Sequence, residues 1–234
     1  MYQNFSILKS TKLQDRLKDL REVIKDQGLN GFLIPRADLH QNEYIEPCES
    51  RLEWMTGFTG SAGLCLVTLK SAFIFVDGRY KIQVKEETNK SLFKIIQTSK
   101  ISFNCWFYKN CKNEIIGYDS WLHTVSEINK LTDYCNNGTK IKKCQNLVDL
   151  IWNNKPKQSL QQIEKHPRKF SGANSETKKT LVAKSICNNQ ADAAILTKPD
   201  SICWLLNIRG KDIAHTPVVQ SLAIVKNNSD VKLF

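Results

Sequence analysis

Two stretches hold most of the residues able to do chemistry: Asp38-Leu39-His40-Gln41-Asn42-Glu43-Tyr44-Ile45 and Asp77-Gly78-Arg79-Tyr80, with Gly60-Ser61-Ala62-Gly63 between them. His40 stands among the acids Asp38 and Glu43, a set with the elements of a metal ligand or a general base. The plainer reading has His40 bonding a neighbouring loop or capping the next helix, with Asp38 as an N-cap. Cys48 follows closely, but a nucleophile needs a base and an orienting group, and proximity in sequence supplies neither. Arg79 sits at a strand-to-helix junction, where open α/β sheets place ligand-holding groups. Its guanidinium suits a carbonyl or carboxylate held by two parallel hydrogen bonds. Equally, it suits a salt bridge to Asp77, Glu86 or Glu87. The sequence holds no His-Glu-x-x-His, no Gly-x-Ser-x-Gly and no phosphate-binding glycine loop with Lys and Ser or Thr. On residues alone the chain reads as a non-catalytic α/β pair.

These residues need elements to position them. Leu13, Leu17, Leu20, Val23 and Ile24 recur at helical spacing, with Gly28 as the stop. Gly31 to Pro35 reads as a buried strand, followed by a helix near Tyr44 to Met55 that ends at Gly57. Gly63 to Leu69 and Ser71 to Val76 predict a hairpin, and Asp77 a cap for a helix running to Glu87. Phe93 to Gln97 and Glu114 to Tyr118 are further strands, and Val125 to Tyr134 a helix. Phe103 to Tyr108 reads only as a polar and aromatic segment. Strands mixed with helices in this way indicate a three-layer α/β domain.

Asn153 to Ser175 is polar, contains Pro156 and Pro167, and reads as a linker with one short helix. The expected domains are therefore 1–152 and 153–234. The second half repeats the order of the first: a helix from Ser175 to Asn188, a strand Ala193 to Leu196, and a helix Ser201 to Asn207 capped by Asp200. A strand pair, Ser221 to Val225 and Val231 to Phe234, then ends the sequence, so the second unit is expected to be truncated.

The 234 residues suffice for one large or two modest cores. Seven of the 34 basic residues are Arg and the rest Lys, including Lys140, Lys142, Lys143, Lys178 and Lys179. Such lysines are read as solvated helix faces, so the charge of +11 predicts no nucleic-acid partner. No apolar run approaches the ~20 residues that cross a bilayer. Met1 to Ser6 lacks a secretory pattern, so a cytoplasmic protein is expected. None of the eight cysteines is spaced as a zinc pair, and they are read as reduced, small apolar residues.

The quoted stretches resemble the N-terminal portion of the Xaa-Pro aminopeptidases of the creatinase/prolidase "pita-bread" superfamily. The likeness includes Ile34-Pro35, Pro47-Cys48, Arg51, Gly57-Phe58, Gly117-Tyr118-Asp119, Asn146 to Asp149, Trp204 to Asn207, Arg209-Gly210 and Pro217-Val218 to Val225. It runs in order over nearly the whole chain and is similar to the three-domain cytosolic type. His215-Thr216 and Lys81-Ile82 depart from the usual pattern.

The resemblance implies two tandem creatinase-N-like three-layer α/β domains, each a mixed sheet flanked by helices, ahead of a separate C-terminal catalytic domain. That domain would carry two manganese ions and release the N-terminal residue from short peptides with proline second. None of its metal ligands or catalytic residues maps onto this sequence, so this chain alone is expected to be inactive. It would shape the substrate entrance and support a homodimer. Arg79 matches the family's peptide-binding arginine, which tips its reading toward substrate. His40 and Glu43 are secondary candidates, because they match the motif but inherit no role. The alternative is a stand-alone binding or subunit-pairing module.

Overall fold

The computed structural model describes residues 10–234, so Met1 to Ser6, read above for a secretory pattern, lies outside them. Among the described residues two compact units emerge: residues 10–39 with 48–156, and residues 40–47 with 157–234.

The first unit is built on a six-stranded mixed sheet in the order β4-β3-β2-β1-β5-β6. Its strands are β1 (Gly31–Pro35), β2 (Leu64–Thr68), β3 (Ala72–Val76), β4 (Lys94–Gln97), β5 (Ile115–Asp119) and β6 (Lys140–Cys144). Only β2 runs against the others. The carboxyl ends of β1, β3, β4, β5 and β6 therefore share one edge with the amino end of β2. Period-two alternation sends Phe32, Ile34, Cys65, Val67, Ile74 and Val76 into one apolar layer, and Leu33, Leu66 and Phe75 into the other. The first layer is closed by α1 (Ser10–Asp26), α2 (Arg51–Thr56), α3 (Gln83–Glu87) and α6 (Leu147–Ile151). The second is closed by α4 (Phe103–Asn110) and α5 (Val125–Asp133). Burial on both faces explains why β1 reads as a continuous apolar run.

Three expectations need correction here. The helix predicted from Tyr44 begins only at Arg51, after a 3-10 turn at Pro47–Glu49. Pro47 disfavours helical backbone at the residue before it, and Gly57 closes α2 in the left-handed conformation at φ 81°. The aromatic segment from Phe103 is a helix, capped by the Ser102 hydroxyl and burying Trp106 and Phe107. Lys140, Lys142 and Lys143 lie not on a helix but on β6, an edge strand whose charges suit its exposed position.

In the second unit α8 (Ser175–Asn188) and α9 (Pro199–Leu206) cover one face of an antiparallel sheet. Its order is β11-β10-β8, from Val231–Leu233, Ala223–Lys226 and Ala193–Leu196. A two-stranded ribbon pairs β7 (Glu164–Lys165) with β9 (Ile208–Arg209), and α7 (Arg168–Ser171) lies between β7 and α8. The order helix, strand, helix, antiparallel hairpin repeats that of the first unit, where β3-β2-β1 corresponds to β11-β10-β8. Asp200 does not cap α9, which starts at Pro199 because proline presets the first helical turn. Lys178 is buried beneath Trp204: its ammonium donates to the Trp204 carbonyl and the Asn207 side chain and lies 4.7 Å from the indole centroid.

Candidate functional site

The carboxyl edge of the first unit's sheet gathers the motif residues of that unit. Val76 ends β3, and the Asp77 carboxylate accepts from the Arg79 backbone N–H at 2.9 Å, bending the chain into a 3-10 turn. The same carboxylate takes the Arg79 guanidinium through Nη2 at 2.8 Å and Nε at 3.1 Å. Hydrogen bonding from Arg79 holds the Asp77 carboxyl below its ordinary pKa. Arg79 remains 64% exposed and lies 5.1 Å from the centroid of the Tyr80 ring. The salt bridge to Asp77 that the structural reading expects is present, and it holds an exposed guanidinium at the carboxyl edge of the sheet.

Tyr80 ties this turn to the glycine-rich loop. Its hydroxyl lies 2.8 Å from Ser61 Oγ and accepts from the Ser61 backbone N–H at 3.2 Å. Its ring packs edge-on against Phe58 at 5.4 Å. Gly60 permits this arrangement, because a Cβ there would stand 2.1 Å from the Phe58 ring. Beside it, Glu87 accepts from the Thr59 backbone N–H, the Thr59 hydroxyl and the Gln83 amide.

Arg36, one residue past β1, was not singled out by sequence reasoning. Its backbone N–H donates to the Gly63 carbonyl at 2.9 Å. Its Nε–H and Nη1–H groups are buried and meet no acceptor among the described residues. Burial lowers the pKa of the guanidinium, while Glu53, Asp38 and Tyr80 oppose that electrostatically. Glu53 is pushed up by burial, an effect that Arg36 counters and Glu87 reinforces. The signal available in sequence was Arg36's place after a strand, the same logic applied to Arg79.

His40 and Glu43 belong to the second unit, whereas Arg79 belongs to the first. His40 is buried, and its Nδ1 lies 2.9 Å from the Thr197 carbonyl just past β8, the loop contact that the plainer reading describes. Glu43 is exposed. Around them Asn42 donates to Gln220, Lys198 to the Gln41 carbonyl, and the Ser159 backbone N–H to Glu46. Among the described residues no three His, Cys, Asp or Glu side chains converge as a metal group, so these residues do not fit a two-metal centre. The eight cysteines are free thiols. Burial pushes Cys111 up to about 12 and Cys65 higher still, which keeps both as inert thiols.

Two family models, both described as Creatinase/Prolidase N-terminal domain, match residues 16–151 and 154–234. The chain belongs to this family. Family relatives include a Probable Xaa-Pro aminopeptidase P of Coccidioides posadasii (strain C735), 34% identical over 225 residues covering 94% of this chain and 34% of the relative. Another, of Botryotinia fuckeliana (strain B05.10), is 32% identical over 235 residues, covering 95% of this chain and 35% of the relative. The chain thus spans about a third of the length of the curated relatives it matches. Among solved structures, the X-prolyl aminopeptidase of Caenorhabditis elegans superimposes with a TM-score of 0.89 at 25% identity, over 95% of this chain and 38% of that one. That protein is described as a cytosolic enzyme with a di-nuclear active site. Two family domains in tandem, the first on a mixed sheet flanked by helices, agree with the fold class read from the sequence. Among the described residues no helix is long and apolar enough to cross a membrane.

Proposed function

We propose that this chain is the N-terminal, substrate-handling portion of a metal-dependent Xaa-Pro aminopeptidase acting in the cytoplasm on short peptides with proline second. The observation that carries the reading is the Arg79 guanidinium, oriented by Asp77 and Tyr80 and exposed at the carboxyl edge of the sheet. In this reading Arg79 grips a carbonyl or carboxylate of the peptide, and the edge around it forms one wall of the substrate entrance. In the second unit His40 and Glu43 are secondary candidates for peptide contact, with His40 held at the Thr197 carbonyl and Glu43 exposed. Hydrolysis belongs to a separate catalytic domain with two manganese ions, and the N-terminal units also support a homodimer.

The relatives' names and the C. elegans enzyme's di-nuclear site support this reading. Its test is a titration of the chain with Ala-Pro-Ala, followed by backbone amide shifts in NMR. Arg79→Met is expected to weaken binding roughly tenfold or more, with an unchanged melting temperature. Normal binding together with a lowered melting temperature would make Arg79 a purely structural residue. Adding Mn²⁺ should produce no cleavage, and turnover would overturn the assignment of catalysis to a separate domain.

A further inference from the structure

Arg36 is a half-buried cation whose charge is answered but whose donors are not. Glu53, Asp38 and Tyr80 act on it electrostatically, yet its Nε–H and Nη1–H groups bond nothing among the described residues. Arginines kept for structure behave differently in the same unit. Arg51 is buried and gives Nε and Nη2 to the two oxygens of Asp149, both at 2.8 Å, and Nη1 to Glu49. What Arg36 lacks is therefore an acceptor rather than a counter-charge. A further carboxylate arriving there would be repelled by Asp38 and Glu53, whereas a neutral carbonyl oxygen would not. An acceptor reaching Nε and Nη1 would displace no hydrogen bond those two groups make among the described residues.

The position points to the same ligand. Arg36 follows β1 and Arg79 follows β3, on the one edge where five strands end. Arg36 interacts electrostatically with Tyr80, whose hydroxyl is fixed by Ser61, and Arg79 lies over the ring of the same tyrosine. Tyr80 thus lies beside the Arg79 guanidinium, which is already committed to Asp77, and within electrostatic reach of Arg36. An amide preceding proline offers a carbonyl oxygen and no N–H, so it is an acceptor alone.

We propose that Arg36 is a second peptide-anchoring residue, which takes a backbone carbonyl oxygen of the peptide bound at this edge. This rests on the reading of the edge as a peptide site. The test titrates the chain with Ala-Pro-Ala as the free acid and as the C-terminal amide, in wild type, Arg36→Met, Arg36→Lys and Arg79→Met. Arg36→Met is expected to weaken the acid and the amide by factors equal within about threefold, because the acceptor at Arg36 is a neutral carbonyl. Arg36→Met should weaken both forms roughly tenfold or more, and Arg36→Lys less, since Lys keeps one donor group. Wild-type affinity in Arg36→Met, with loss only in Arg79→Met, would overturn this inference and leave the peptide site standing. A loss in Arg36→Met confined to the acid form would also overturn it, by making the ligand of Arg36 an anion. A melting temperature several degrees lower in Arg36→Met would mark the residue as structural and overturn it too. No response of the wild type to either peptide would remove the peptide reading and Arg36's role together.

Discussion

Arg51 and Arg36 lie in one unit, and both are guanidiniums withdrawn from water, yet they are treated in opposite ways. Arg51 joins the start of α2 to α6 through a two-pronged bond to Asp149, with Glu49 and Lys155 completing the network. Burial works against the charged form of Arg51, but the bonds to Asp149 and Glu49 outweigh it and hold its pKa above the ordinary value. Burial likewise pushes Asp149 up, and its bonds to Arg51 and Lys155 outweigh that and bring it below. Arg36 has compensating charges nearby and no such bonds for Nε and Nη1. The contrast separates an arginine that maintains the fold from one held ready for a ligand.

The largest expected effect falls on the structural member. Arg51→Met should cost about 3–5 kcal/mol in urea unfolding, because it removes the buried cation that Asp149 and Glu49 share and leaves Asp149 with Lys155 alone. The double variant Arg51→Met/Asp149→Leu should recover part of that loss, and a strictly additive cycle would show that the pair is not coupled. Next comes Gly60→Ala, at about 1–3 kcal/mol, since the added carbon meets the Phe58 ring and displaces Ser61 from Tyr80. Tyr80→Phe should cost about 1 kcal/mol for the lost hydroxyl bonds, with a larger relative effect on peptide binding than on stability. Arg36→Met should change stability by under about 1 kcal/mol, because it removes two donors that were bonding nothing.

The smallest effect is a pH slope. Burial depresses the pKa of His123, against the opposing pull of Glu127 and Asp119, and its Nε2 has no partner among the described residues. The unfolded chain therefore binds this proton at a higher pH than the native one does. Stability from this group is complete above the ordinary value of about 6.5 and is lost as pH falls through and below it. Urea titrations between pH 7.5 and pH 5 should show the decline, and His123→Gln should flatten it.

The parts of this comparison differed in how far the sequence revealed them. Strands β1, β2 and β3 were legible because both of their faces are covered, which makes each a continuous apolar run. Strand β6 was not, because an edge position tolerates lysines that resemble a solvated helix face. Helix α4 was hidden by its aromatics, which favour strands locally and are helical here because Trp106 and Phe107 pack beneath the sheet. Arg79 stood out by its motif and its place after a strand. Arg36 occupies the equivalent place after β1, but only packing shows that its donors are buried and unmet. His40 looked chemically equipped beside Asp38 and Glu43, yet the fold buries it against the Thr197 carbonyl.

The most direct test follows the arginine Nε–H signals in ¹⁵N NMR while Ala-Pro-Ala is added. The Arg36 and Arg79 signals should move together with increasing peptide, while the Arg51 signal, locked on Asp149, stays in place. Movement of Arg51 with the others, or a stationary Arg36 beside a moving Arg79, would contradict the division between a structural and a recognising arginine.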